Sequence, residues 1–221
     1  MDKFITIAVD GTASSGKSTV MKIVSERLNF HFLDTGLMYR AYTKYCLNNK
    51  INLLESSSIE SLIKSFNFSF DNENVYVNKV NYTSFLSDND VVTNIKYVAN
   101  NKIVRDYMVG FQRQLAFNKN IIMVGRDITS VVLKDATLKI YFDCSIESRA
   151  IRRFKQNENN GIKPNIYEDI YQSILKRDSN DKTRKEGPLV ITDNAWVLDT
   201  SNLSIEEAVD AVINKIKKII N

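Results

Sequence analysis

The string Gly11-Thr12-Ala13-Ser14-Ser15-Gly16-Lys17-Ser18, followed by Thr19, satisfies a G-x-x-x-x-G-K-[ST] pattern. Glycines at its two ends permit backbone angles that turn successive amide N–H groups inward. An anion is then held by a ring of donors and by the positive end of the helix that opens behind the loop. Lys17 would reach the β- and γ-phosphates of a nucleoside triphosphate, and the Ser18 hydroxyl would ligate Mg²⁺. A second set of chemistry-bearing residues is cationic: Arg40, Arg126, Arg149, Arg152, Arg153, Arg177 and Arg184. Arg149, Arg152 and Arg153 share one helical face by their spacing. Guanidinium forks bind phosphate bidentately, and several are needed where two polyanions must approach each other. For any one of these arginines taken alone, a solvated basic face is an equally good reading.

The remaining residues narrow the chemistry. A guanine-binding switch would carry Asn-Lys-x-Asp, but Asn78-Lys79, Asn101-Lys102, Asn118-Lys119 and Asn214-Lys215 all lack the Asp. Transfer of a phosphoryl group to a hydroxyl needs a base to take its proton, whereas a phosphate acceptor is already ionised. His31, the single histidine, lies between Phe30 and Phe32 in an apolar run and reads as a structural, partly buried residue. An arginine-rich site poor in bases fits transfer to a nucleoside monophosphate.

The elements that must position these residues alternate. Residues 4–9 are a continuous apolar run suited to a strand buried on both faces, and a helix is predicted over 17–28. A second strand is predicted over 30–33, and Asp34-Thr35-Gly36 turns the chain into a helix over 37–48 carrying Met38, Ala41 and Tyr45. Further strands over 121–124, 138–142 and 196–198 are followed by helical patterns, two of them at 147–155 and 204–220, the last opened by a Ser204…Glu207 capping box. This alternation predicts an α/β fold with a central parallel sheet flanked by helices. The middle differs. Residues 66–70 and 74–80 alternate apolar and polar around a turn at 71–73, which predicts a small antiparallel hairpin, and one long helix is predicted over 91–117 with Val98, Val104, Met108, Phe111 and Leu115 as its apolar stripe. Residues 37–117 thus read as a lobe inserted into a core made of 1–36 and 118–221, and the Asn-rich stretch 156–165 as a mobile loop.

Composition excludes several classes. Thirty Lys plus Arg against twenty-six Asp plus Glu leave +4, with 43% hydrophobic and 25% charged residues, which is neither a disordered nor a collagenous chain. The charges are interleaved, so no basic face for polynucleotide is expected. Cys46 and Cys144 show no zinc or disulfide spacing and read as buried thiols in a reducing compartment. The apolar run at 4–9 is too short for a signal-peptide core or a membrane span. A cytoplasmic monomer with no membrane or nucleic-acid partner is expected.

At this point the chain strongly resembles the bacterial cytidylate kinase family, nearly end to end. The resemblance is carried by Asp10-Gly11 through Thr19, Leu33-Asp34-Thr35-Gly36-Leu37-Met38-Tyr39-Arg40, Gly125-Arg126-Asp127, Arg149-Ala150-Ile151-Arg152-Arg153, and Arg177 through Asp181 to Arg184. It implies a P-loop kinase core, an inserted monophosphate-binding lobe with a small antiparallel sheet, and a short lid within about 154–168. It implies transfer of the ATP γ-phosphoryl group to CMP or dCMP, with Mg²⁺. Arg40 and Arg126 would hold the CMP phosphate, with Thr35, Gly36 and Tyr39 shaping that pocket, and Arg177 and Asp181 would contact the sugar. Asp127, Arg105 and Arg184 match the residues that read cytosine, whose amino donor needs a carboxylate and whose acceptors need cations. Uracil would turn O4 toward that carboxylate, a penalty of roughly 2–4 kcal/mol. Lys17, Arg149 and Arg153 are the expected catalytic cations, and Asp34 is a candidate to support the metal's ligands without binding the ion directly, with Asp10 a weaker one. Where the family usually has a Ser that also contacts the amine, Lys96 stands here, so weaker discrimination of CMP from UMP is expected. The alternatives are another P-loop small-molecule kinase acting on UMP, AMP or a hydroxylated metabolite, a non-catalytic nucleotide-dependent interaction module, and a nucleic-acid-dependent ATPase.

Overall fold

The computed structural model describes residues 4–71 and 74–220. In chain order the elements are β1 (Thr6–Gly11), α1 (Lys17–Leu28), β2 (His31–Asp34), α2 (Thr35–Asn48), α3 (Ser56–Ser61), β3 (Phe68–Phe70), β4 (Val75–Val77), β5 (Val80–Asn81), α4 (Asn89–Ala99), α5 (Lys102–Ala116), β6 (Ile121–Val124), β7 (Leu138–Asp143), α6 (Ile146–Asn159), α7 (Tyr167–Thr183), β8 (Trp196–Asp199) and α8 (Ile205–Ile220). They divide into two compact units, Met1–Leu33 with Asn118–Asn221, and Asp34–Phe117.

In the first unit the apolar run of β1 becomes the middle strand of a sheet ordered β2-β6-β1-β7-β8. β1 pairs in parallel with β6 and β7, and β7 with β8, placing Val9 between Val124 and Ile140. One face of this sheet is covered by α1 and α8, through Val20, Met21, Val24, Val209, Val212 and Ile216. Each such buried side chain contributes about 1.5–3 kcal/mol. α8 begins with the expected capping box: Ser204 Oγ accepts the Glu207 N–H at 3.2 Å, and Glu207 Oε2 accepts the Ser204 N–H at 2.8 Å. The chain leaves β1 toward β2 at one edge, whereas β7 and β8 lie on the other side. The loop after β1 therefore opens where the connections diverge, the usual ligand crevice of such sheets. The central parallel sheet with flanking helices is the α/β fold expected from the alternating pattern.

In the second unit β3, β4 and β5 form a small antiparallel sheet, with Phe68 opposite Val77 and Val77 opposite Val80. The sequence reading made 74–80 one strand. Asn78 and Lys79 both take positive φ, 51° and 69°, and fold it into a second hairpin. Of the turn expected at 71–73, Asn72 and Glu73 lie outside the described residues. The long helix expected over 91–117 is two helices. α4 ends at Ala99, and the Asn101 side chain accepts the Val104 N–H at 3.0 Å as the N-cap of α5, while Val98 and Val104 are both buried. Tyr42 of α2 meets Phe66 edge-on at 4.9 Å in this unit's core.

Two further boundaries differ. α2 starts at Thr35, two residues before the expected 37, because the Asp34 carboxylate accepts the Gly36 N–H at 2.9 Å and caps it. Residues 156–159 continue α6 instead of forming a loop. The asparagines there cross-link the turn that follows: Asn157 Nδ2 donates to Asn165 Oδ1 and Asn165 Nδ2 to the Phe154 carbonyl, both at 3.0 Å. His31, expected to be partly buried, is exposed on the edge strand β2.

Candidate active site

The loop between β1 and α1 is shaped by its two glycines. Gly11 has φ 154° and passes so close to β7 that a Cβ would fall 2.4 Å from the Phe142 carbonyl oxygen; Gly16 enters α1 at φ 86°. Between them Ser14 also adopts a left-handed conformation, φ 61°. Cations and a hydroxyl hold the loop's carbonyls. Lys17 Nζ donates to the Thr12 carbonyl at 3.1 Å, and Arg149 Nη1 to that of Ala13 at 3.1 Å. The Ser15 carbonyl accepts from Thr200 Oγ1 at 3.0 Å and Arg152 Nη1 at 3.4 Å. In a planar trans peptide the N–H points opposite the carbonyl, so these anchors turn the Ser14 and Gly16 amides the other way, as an anion cradle requires. Thr12 Oγ1 and Ser15 Oγ are buried without a hydrogen-bond partner among the described residues. An orphaned buried hydroxyl costs about 1–3 kcal/mol, and a phosphate oxygen would satisfy one.

The three arginines of α6 converge on this loop. Arg149 is buried; its Nε donates to the Cys144 carbonyl at 2.9 Å and its Nη1 pairs with Asp178 Oδ2 at 2.6 Å. Arg152 also donates to the Thr200 carbonyl and, at 3.4 Å, to Cys144 Sγ. Arg153 reaches the Ser14 hydroxyl with Nη2 at 3.1 Å, and burial pushes its guanidinium below the ordinary value while leaving it a cation. Ser18 is half-buried in the first turn of α1, whereas Thr19 faces solvent. Among the described residues no group of three or more His, Cys, Asp or Glu could hold a metal ion. A single hard hydroxyl oxygen, that of Ser18, suits a divalent cation shared with phosphate oxygens and water.

Elsewhere in the first unit, α7 gathers a second set. Arg126, just after β6, donates through Nε to Asp181 Oδ2 at 2.7 Å; Arg184 pairs with Asp127 at 3.5 Å and with Asp181 at 3.9 Å. Burial alone would raise the Asp181 carboxyl, but Arg126 first, then Arg177 and Arg184, outweigh it and hold the group below its ordinary value. Asp10, at the end of β1, anchors the same segment. Its Oδ1 accepts the Ile128 N–H at 2.8 Å, and its Oδ2 accepts the Thr129 N–H at 2.8 Å and hydroxyl at 2.6 Å. Both oxygens thus take part in fixing the π-helical turn Ile128–Val132, which gives Asp10 a structural task. Burial, the largest influence, raises its pKa against these hydrogen bonds.

In the second unit, Asp34 spends one oxygen on capping α2, whose first turns carry Thr35, Gly36, Tyr39 and Arg40. Arg40 Nη1 donates to the Leu86 carbonyl at 2.9 Å. Arg105 is buried, donates to the Ala99 carbonyl at 3.2 Å and lies over the Tyr39 ring at 5.7 Å, so these two expected residues meet. Lys96 is exposed on α4, its Nζ 4.9 Å from the Tyr97 ring centroid.

Sequence reasoning missed Asp178 and Thr200. Asp178 stands next to Arg177, in the segment whose Arg177, Asp181 and Arg184 carry the family resemblance. Nothing local marks Thr200, whose bond to Ser15 spans most of the chain.

The family model for cytidylate kinase matches residues 7–218. A protein named cytidylate kinase from Mycoplasma capricolum is 49% identical over 219 residues, covering 99% of this chain and 98% of its own. Those of Mesoplasma florum and Fusobacterium nucleatum are 43% and 39% identical over 219 residues, each covering 99% of this chain and 99% and 100% of their own lengths. The crystal structure of an uncharacterised protein from Eubacterium ventriosum shares the fold, with a TM-score of 0.55 at 14% identity over 96% of this chain and 98% of that one. No helix among the described residues is long and apolar enough to cross a membrane. Because the match runs from β1 into α8 and the relatives align over nearly their whole length, the chain belongs to the cytidylate kinase family.

Proposed function

We propose that the chain transfers the γ-phosphoryl group of ATP to CMP or dCMP, giving ADP and CDP or dCDP, a step of pyrimidine nucleotide metabolism. The observation that carries this reading is the anchored loop of residues 11–18 in a chain of this family: Lys17, Arg149, Arg152 and Thr200 hold its carbonyls, which leaves the Ser14 and Gly16 amides for the triphosphate.

Lys17 would leave the Thr12 carbonyl for the β- and γ-phosphate oxygens and follow the charge that spreads over the transferring group. Arg153, beside the Ser14 hydroxyl, would reach the same group. Arg149, tied to Cys144, Ala13 and Asp178, would act by holding the loop. Ser18 would hold Mg²⁺ together with nucleotide oxygens and water, Asp34 supporting that shell, and the ion when bound neutralises phosphate charge. The segment 154–168 would serve as the lid that excludes water from the phosphates, since hydrolysis competes with transfer.

On the acceptor, Arg40 and Arg126 would hold the CMP phosphate, with Thr35, Gly36 and Tyr39 lining its pocket, and Arg177 and Asp181 would contact the sugar. Asp127 would accept from the cytosine amine while Arg105 and Arg184 donate to its acceptor atoms. The Arg184–Asp127 and Arg126–Asp181 contacts support this grouping by keeping those side chains ordered before substrate arrives.

An acceptor panel tests the reading. ATP is offered with CMP, dCMP, UMP, AMP, GMP and a single-stranded polynucleotide, and ADP release is followed. Fastest turnover with CMP or dCMP is expected. Preference for another acceptor, or ATP binding without transfer to any of them, would overturn it.

A further inference from the structure

We propose that Asp178, together with Arg149, is a positioning residue for the phosphate loop, clamping both peptide groups of Ala13. Asp178 Oδ1 accepts the Ala13 N–H at 3.3 Å, and Arg149 Nη1 donates to the Ala13 carbonyl at 3.1 Å. The clamp closes on itself, because the same Arg149 Nη1 pairs with Asp178 Oδ2 at 2.6 Å. Its three members are 3%, 3% and 6% exposed for Ala13, Arg149 and Asp178, so water does not compete for these bonds.

A buried ion pair is not by itself evidence for anything beyond packing. This pair is distinguished by what it holds. Ala13 precedes Ser14, a non-glycine residue in the left-handed region, a conformation that persists only where its surroundings determine it. Fixing the Ala13 carbonyl against Arg149 also fixes the next amide, that of Ser14, on the opposite side of the same peptide plane. Asp178 thereby aims a phosphate donor that it does not touch. It lies one helical turn before Asp181, the partner of Arg126, so α7 braces the loop with one carboxylate and Arg126 with the next.

The inference rests on the reading of residues 11–18 as the ATP phosphate loop, and its test separates the two. Binding of the Mg²⁺ complex of a non-hydrolysable ATP analogue to wild type and to Asp178→Asn is measured by calorimetry, alongside KM for ATP and for CMP. Asparagine keeps an oxygen for the Ala13 N–H and removes the charge that holds Arg149. The expected result is ATP affinity weakened about 10- to 100-fold with KM for CMP changed less than about threefold. A folded Asp178→Asn that binds ATP as tightly as wild type would overturn the clamp alone. Wild type that fails to bind ATP would overturn the loop reading beneath it. Should the variant not fold, hydrogen exchange of the Ala13 amide in nucleotide-free wild type decides: protection is expected, and exchange at the rate of an open loop amide would overturn the proposal.

Discussion

Asp181 on α7 accepts the Nε–H of Arg126 at 2.7 Å, with both side chains under one-fifth exposed. Burial pushes the Asp181 carboxyl up, and Arg126, Arg177 and Arg184 more than reverse that, holding it below its ordinary value of 3.8. A depressed carboxyl contributes stability that is fully present above its unfolded value, near pH 4, and is lost as pH falls through the lower folded value. Asp181→Asn is expected to lower unfolding free energy by about 1–3 kcal/mol at pH 7. Urea titrations at stepwise lower pH should show that difference shrinking below about pH 4. A constant difference across the range would mean that the charge of Asp181 contributes nothing.

Asp10 accepts three hydrogen bonds from Ile128 and Thr129 in the interior. An asparagine there turns an amino group toward one of those donors, leaving it unsatisfied at about 1–3 kcal/mol. Asp10→Asn is expected to lower the unfolding free energy by that amount, read as a lower urea midpoint, and to raise KM for CMP more than KM for ATP, since the loosened turn follows Arg126 and Asp127 directly. Unchanged stability would remove Asp10 from its anchoring part.

Lys17→Ala is expected to reduce kcat about 100- to 1000-fold, the scale found for losing one preorganised donor to developing charge. The fold should survive, because the Lys17 ammonium serves its own loop, donating to the Thr12 carbonyl. A coupled ADP-release assay at near wild-type turnover, with circular dichroism unchanged, would contradict the site assignment.

Lys96 is an exposed ammonium where relatives are expected to place a hydroxyl that accepts from cytosine. Lys96→Ser is expected to raise the ratio of kcat/KM for CMP over UMP, by about 10-fold at most. An unaltered ratio would separate Lys96 from base selection.

Much of this was legible in residue patterns, for reasons that also mark where the patterns stop. Largely apolar runs mark β1, β6 and β7 because strands buried on both faces have no continuous polar side to interrupt them. The break between α4 and α5 was hidden because Val98 and Val104 continue one apolar stripe across it, and Asn101 marks it only as a cap. The turn at Asn78-Lys79 was hidden because a lysine carries no sign that it will take a positive φ. Helical spacing put Arg149, Arg152 and Arg153 on one face, yet their destinations, the carbonyls of Ala13 and Ser15 and the hydroxyl of Ser14, lie more than a hundred residues away in the chain. Asp178 was missed for the same reason: its partners Ala13 and Arg149 are brought to it only by the packing of α7 against α6 and the loop.

The most direct test follows the phosphoryl group itself. ATP labelled at the γ-phosphate is incubated with the purified chain, Mg²⁺ and CMP, and the products are separated. The label is expected in the β-position of CDP, with equimolar ADP. Label recovered only as inorganic phosphate, or transferred to another monophosphate in preference to CMP, would contradict the account.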